Sequence, residues 1–253
     1  MGLLDNKTAI VTGSSRGIGA DVAKILASEG AAVVVNYRQK APRANKVVQG
    51  IEAAGGRAVA VGADLTTQEG VQALASAAME NFGSLDVLVL NASGGMETGM
   101  GEDYALKLNR DAQINMLNAA VPLMKEGSRV VFVTSHQAHF INTVPTMPAY
   151  EPVARSKRAG EDALRELIPN LAEKGISLVV VSGDMIEGTV TATLLDRSTP
   201  GAIEARRAEA GKLYSVEEFA QVVAGMATAD VESGHTEYAG GADYFGKSAE
   251  ASS

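Results

Sequence analysis

The sequence predicts a single-domain α/β fold: a doubly wound parallel sheet of about seven strands flanked by helices. Three observations carry this. Short runs that are apolar at consecutive positions recur along the chain, as strands buried on both faces require. Each gap between the first six runs holds a helical segment, the β-α alternation of a parallel sheet. The 253 residues, 46% hydrophobic, contain no internal repeat and no linker-like tract, so one core over 1–253 suffices.

The elements follow in order. "KTAIVTG" is the first strand and ends in a glycine; a helix follows over Gly17–Ser28. "AAVVVNY" and "RAVAVGAD" are the second and third strands, and 68–81 is a helix. "LDVLVLNAS" is the fourth, "SRVVFVTS" the fifth, with a long helix over 103–124 between them. A helix over 152–172 leads to "ISLVVVSG", the sixth, and "HTEYAGG" is a seventh near the end. The segment 189–214 is helical, polar and interrupted at Pro200-Gly201; after a strand end, it stands where a lid over a site would sit. The tail "GKSAEASS" reads as frayed.

Composition narrows the function. A net charge of −8 argues against nucleic acid, which needs a concentrated basic face; Arg38, Lys40 and Arg43 are a local exception. With no cysteine there is no disulfide and no thiolate chemistry. Three histidines make a histidine-rich metal site an unfavoured reading, and the expectation is no metal. No apolar run reaches membrane-spanning length and no signal-peptide core is visible, so the expectation is a cytoplasmic protein without membrane contact.

"VTGSSRGIGA" joins the first strand to the first helix. Gly13, Gly17 and Gly19 let the backbone turn and approach a pyrophosphate, with Ser15, Arg16 and Ile18 between them. The helix start adds free N–H groups and a positive dipole end. The strand before and the helix after are the context this motif needs. This is a Rossmann-type arrangement. The second strand ends in Asn36, Tyr37 and Arg38 rather than an acidic residue that would hold ribose hydroxyls. Arg38 and Arg16 offer two guanidinium groups for a 2′-phosphate, which favours NADP(H) over NAD.

The spacing T-G-x-x-x-G-x-G resembles the short-chain dehydrogenase/reductase family, and the likeness covers nearly the whole chain. The resemblance implies an adenine-side contact at Asp64 and Leu65 in "GADL", and a cofactor contact at Asn91 in "LNASG", where Leu90 replaces the family's first asparagine. It implies a catalytic serine at Ser135, an asparagine at Asn109 that supports the lysine through a water, and backbone contacts to the nicotinamide carboxamide at Met185 and Ile186. Asp184 and Gly188 depart from the family's pattern beside those contacts. Family members assemble as homodimers or homotetramers through the helices here at 103–124 and 152–172.

The departure that matters most is "YEPVARSK". The family's proton donor is Y-x-x-x-K, and the lysine binds the nicotinamide ribose and favours the tyrosinate by its charge. Here Val153 stands at the tyrosine position and cannot transfer a proton. Tyr150 lies seven residues before Lys157, close to two helical turns. Pro152 suits a first helical position, so the helix is expected to begin there, with Tyr150 just outside and free to fold into the space left by valine. The Y-x6-K spacing is similar to that of NADPH-dependent enoyl-acyl-carrier-protein reductases that keep the ordinary glycine loop. The reading is therefore an NADP(H)-dependent oxidoreductase with Tyr150, Lys157, Ser135 and Asn109 as its catalytic set. Its narrow form is reduction of an enoyl (thio)ester. Carbonyl reduction is the alternative, because Ser135 and Asn109 suit it. A cofactor-binding protein or non-redox enzyme that lost its acid at Val153 is the third reading.

Other features stay open. His136 or His139 is expected to line the pocket or bond a loop carbonyl, with His136 a fallback acid. The methionines of "GGMETGMG" form a flexible loop or an adaptable wall over the nicotinamide. Arg206, Arg207 and Lys212 meet an acidic carrier or a coenzyme A phosphate, or form a solvated helix face.

Overall fold

A computed structural model describes residues 2–96 and 103–244. Its centre is one seven-stranded sheet in the order β3-β2-β1-β4-β5-β6-β7, every pair parallel. The strands are β1 (Thr8–Val11), β2 (Ala32–Tyr37), β3 (Arg57–Gly62), β4 (Leu85–Leu90), β5 (Met124–Ser135), β6 (Ser177–Gly183) and β7 (Thr236–Ala239). Each coincides with an apolar run of the sequence.

Alternation along those runs builds two cores. Ala9, Val11, Val33 and Val35 belong to one; Ile10, Val34, Val130 and Phe132 to the other, because successive strand residues point to opposite faces. Helices α1 (Gly17–Ser28) and α11 (Val216–Gly225) cover the first face, α3 (Gln68–Phe82) and α5 (Ala112–Ala120) the second. The strand order reverses between β1 and β4, and the crevice beyond their carboxyl ends is where such sheets bind ligands.

Three predicted helices differ in detail. The 103–124 segment is α4 (Tyr104–Leu106), a single π-helical turn (Lys107–Asp111), α5, and a 3₁₀ turn (Val121–Leu123) that opens into β5. The π turn sits at Asn109, and such turns recur at functional sites. The 152–172 helix is α7 (Glu151–Glu166) and α8 (Ile168–Ala172). Pro169 causes the break: it has no N–H for the Arg165 carbonyl, and its ring crowds that turn. The 189–214 segment is α9 (Val190–Ser198) and α10 (Ala202–Ala210), parted at Gly201, whose φ is +86°. The two remaining helices are α2 (Ala41–Ala53) and α6 (His136–His139). No helix among the described residues is long and apolar enough to cross a membrane. The tail 246–253 lies outside the described residues.

Candidate active site

A cleft of about 820 Å³ runs along the carboxyl ends of the strands. At one end is the glycine loop. Gly13 and Gly17 take φ of +62° and +56°, a region that favours glycine. A Cβ on Gly17 would meet nothing within 4 Å, so its backbone faces open cleft, whereas one on Gly19 would lie 2.5 Å from Asn91 Nδ2. Helix α1 has neither a side-chain cap nor an acidic residue in its first turn, so its positive end is uncompensated by its own turn. This loop fits a pyrophosphate.

The adenosine end is basic. Arg16, Tyr37, Arg38, Lys40 and Arg43 line it, beside Asp64 and Leu65. Lys40 and Arg43 add to the predicted set; the basic run was visible, but only α2 starting at Ala41 turns both toward the cleft. Arg38 donates to the Tyr104 hydroxyl and stacks over its ring at 5.6 Å, which holds the guanidinium across the cleft mouth. Asp64 accepts from Thr66 N–H and Oγ1 with one carboxylate oxygen, at 3.0 and 2.7 Å. Asn36 lines the wall, but its carboxamide is spent inside the protein. Its Oδ1 accepts from Gly13 N–H (2.9 Å), and its Nδ2 donates to the Ala63 carbonyl (3.2 Å). Its side chain therefore braces the glycine loop and leaves the sugar to others. Asn91 is a brace of the same kind, donating to the Thr12 carbonyl at 2.9 Å.

The other end holds the residues predicted to be catalytic. Tyr150 is the N-cap of α7, directly before the helix, with Pro152 in its first turn. It is buried, and its Oη lies 3.3 Å from Ser135 Oγ. Val153, Met185, Ala192 and Leu195 pack in the same apolar cluster. Tyr150 thus reaches the site from outside the helix, in the manner its spacing suggested. Lys157 lines the same cleft, mostly buried, and its Nζ has no protein partner among the described residues. Met185 and Ile186 line the far wall, along with Met96. Met100 lies outside the described residues.

Asn109 plays a different part from the one expected of its side chain. Oδ1 accepts from Gly94 N–H (3.2 Å), while Nδ2 donates to the Gly94 carbonyl and Ser156 Oγ (2.8 and 2.9 Å). It pins the loop after β4 to α7. Its main-chain carbonyl also faces α7, so closely that a Cβ on Gly160 would come within 2.1 Å of it.

His136 is not an acid in the cleft. Nδ1 bonds Ser182 Oγ at 2.7 Å and Nε2 bonds the Gly240 carbonyl at 2.8 Å. Because a carbonyl only accepts, Nε2 carries the proton. Burial lowers its pKa below the usual histidine value, which keeps it neutral. His139 bridges Glu161 (2.8 Å) and Tyr238 (2.9 Å).

Arg206, Arg207 and Lys212 are each paired within the protein, Arg206 in a buried clamp and Arg207 and Lys212 on a solvated face. Arg206 donates to Asp184 at 2.8 Å and to Asp243 at 2.6 Å, and lies 4.8 Å from the Tyr244 ring. Arg207 pairs with Glu187 and Glu204, and Lys212 with Glu218. Arg206 and Arg207 tie α10 to Asp184 and Glu187 after β6, and Arg206 also ties it to Asp243 beyond β7, while Lys212 pairs onto α11. What lines the cleft instead is 188–195, including Thr189, Thr191 and Leu194.

Comparisons with known proteins agree with this geometry. The family profile described as short chain dehydrogenase matches residues 7–198. An uncharacterised oxidoreductase of Methylorubrum extorquens is 36% identical over 91% of this chain and 94% of its own length. The 1-cyclohexenylcarbonyl-CoA reductase of Streptomyces collinus is 34% identical over 72% of this chain and 65% of its own. A short-chain dehydrogenase of Burkholderia cenocepacia crystallised with NADP superposes with a TM-score of 0.79 at 30% identity, covering 93% of this chain and 97% of that one. An angucycline C-6 ketoreductase with bound NADP gives 0.77 at 28% identity, covering 94% and 95%.

Proposed function

The chain belongs to the short-chain dehydrogenase/reductase family of oxidoreductases, and from that premise we propose that it is an NADPH-dependent reductase of an enoyl thioester. The observation that carries the reductase reading is the Ser135–Tyr150 pair, with hydroxyls 3.3 Å apart in the cleft, and its enoyl form is favoured by the Tyr150–Lys157 spacing. NADPH bound there supplies the hydride. Gly13, Gly17 and the start of α1 would hold its pyrophosphate; Arg38, Lys40 and Arg43 would hold the 2′-phosphate; Met185 and Ile186 would hold the nicotinamide. Lys157 holds the adjoining ribose.

As hydride reaches the β-carbon of the substrate, the π electrons shift and negative charge grows on the thioester oxygen. Two hydroxyl donors aimed at one oxygen stabilise that charge where it develops. Tyr150 would then give its proton to that enolate, which ends as the saturated thioester with the proton on its α-carbon, and the Lys157 ammonium favours the tyrosinate left behind. Asn109 keeps α7 and the Gly94 loop in register around them. The relative that acts on a cyclohexenylcarbonyl thioester supports the choice of substrate.

A second reading rests on the same pair. Ser135 and Tyr150 would equally hold a ketone oxygen while hydride reaches its carbon, and the NADP-bound ketoreductase has this fold. The absorbance decay of NADPH decides between them with a crotonyl thioester, an acetoacetyl thioester and a simple ketone. Decay with the crotonyl substrate alone is expected. Decay with the keto substrates alone would replace enoyl by carbonyl reduction. No decay beside tight NADPH binding would overturn both. We further infer a cytoplasmic homodimer or homotetramer assembled through the α5 and α7 faces, with 189–214 as the substrate lid.

A further inference from the structure

Gln137 lines the cleft two residues beyond Ser135, half-buried on α6, and the chemistry above leaves it unused. Its Oε1 accepts from Thr146 Oγ1 at 2.6 Å and from the Met147 N–H at 3.0 Å. A backbone N–H can only donate, so the atom facing Met147 must be the amide oxygen. The carboxamide orientation is thereby fixed, and the NH₂ group must point the other way. That NH₂ has no protein acceptor among the described residues. The Met147 carbonyl in turn accepts from Tyr150 N–H at 2.9 Å, so the same turn that seats Tyr150 sets this amide.

We propose that Gln137 is a specificity-determining donor: the substrate carries, besides the oxygen held by Ser135 and Tyr150, a second oxygen acceptor that the Gln137 amide reads. This rests on the reductase reading for the identity of the first oxygen. A cleft wall that is otherwise largely apolar on this side gains discrimination from one oriented donor, because a ligand without the acceptor leaves it unpaired.

The test uses Gln137→Glu. A carboxylate still accepts from Thr146 and Met147, so the Tyr150 turn keeps its anchor, but the donor is gone. Calorimetric titration of the NADP⁺-loaded protein compares ethyl 3-hydroxybutanoate with 2-heptanol, a pair of equal chain length that share the hydroxyl and differ in the ester group, whose carbonyl oxygen is the second acceptor. The wild type is expected to prefer the ester by roughly five- to tenfold. Gln137→Glu is expected to remove that preference while leaving 2-heptanol and NADP⁺ binding within about twofold. No preference in the wild type overturns the proposal, as does a preference that survives the substitution or an equal loss for both ligands. NADPH oxidation is read separately: a preference that depends on Gln137 without any turnover would sink the reductase reading and leave the donor assignment standing.

Discussion

In the proposed reading the chemistry turns on Tyr150 and the cofactor choice on Arg38. Tyr150→Phe removes one hydroxyl and keeps the ring that packs with Val153 and Leu195. Turnover is expected to fall about 10²- to 10⁴-fold, the usual worth of a positioned acid, with NADPH affinity nearly unchanged. Steady-state rates beside a fluorescence titration of NADPH check this, and retained turnover would remove Tyr150 from the mechanism. Arg38→Asp acts at the opposite end of the cleft. It replaces a guanidinium held by Tyr104 with a charge that repels a 2′-phosphate and accepts from ribose hydroxyls. NADPH binding is expected to weaken by roughly 1.5–3 kcal/mol more than NADH binding, the range for hydrogen bonds to charged groups. Dissociation constants for both nucleotides decide it; equal weakening contradicts the phosphate assignment. Both positions were legible in the sequence because motif spacing and charge type determine them. Asn36 was only half legible: its place at the end of β2 is a matter of spacing, but its bonds to Gly13 and Ala63 depend on where three strands meet.

At the scale of the element, the 189–214 segment is held by ion pairs that composition alone could not assign. Arg206, on α10, is only 10% exposed at its side chain, and Asp184 at the end of β6 only 4%. Asp243 completes the clamp after β7. The opposing carboxylates drive the Arg206 pKa upward against the effect of burial. In sequence these charges are 22 and 37 residues apart, and a polar helix with three basic residues reads as readily as a docking face. Arg206→Ala leaves two carboxylates facing each other without a cation. The cost is expected to be about 2–4 kcal/mol, below the upper range for a buried pair because Asp243 is partly solvated. Urea denaturation measures it, and a change below about 1 kcal/mol would mean the clamp is solvated in solution. The π turn at Asn109 and the break at Leu167 belong to this scale too. The first brings the Asn109 carbonyl against Gly160 of α7, a contact no periodicity reveals; the second is written in Pro169, which a single helix over 152–172 leaves out of account.

The molecule as a whole is built on a sheet whose parallel, two-sided character was implicit in its apolar runs, since strands buried on both faces carry so many consecutive valines, whereas its strand order was not. The polar groups buried at its carboxyl edge were not implicit, because their partners come from distant strands. His136 is the clearest case, buried between Ser182 of β6 and Gly240 beyond β7. Its effect on the whole fold follows from linkage. Burial lowers its folded-state pKa below 6.5; the Gly240 carbonyl and Asp184 oppose this, while His139 and Arg206 add to it. Below about pH 6.5 the unfolded chain therefore binds a proton that the folded chain refuses, so stability is present above that pH and declines as pH falls toward the folded value. One proton limits the slope to about 1.4 kcal/mol per pH unit. Glu161 also has a lowered pKa, but its contribution is lost only below its ordinary value of 4.5. The interval from pH 6.5 to 5 thus lies above the carboxylates, and comparison with a His136 variant separates this histidine from His139 and His235. His136→Gln is expected to be less stable than wild type at pH 7.5 and to show a flatter decline across that interval. Urea denaturation at pH 7.5, 6.5, 5.75 and 5 provides the comparison; parallel declines in the two proteins would mean that His136 takes up its proton in the folded state as readily as in the unfolded one.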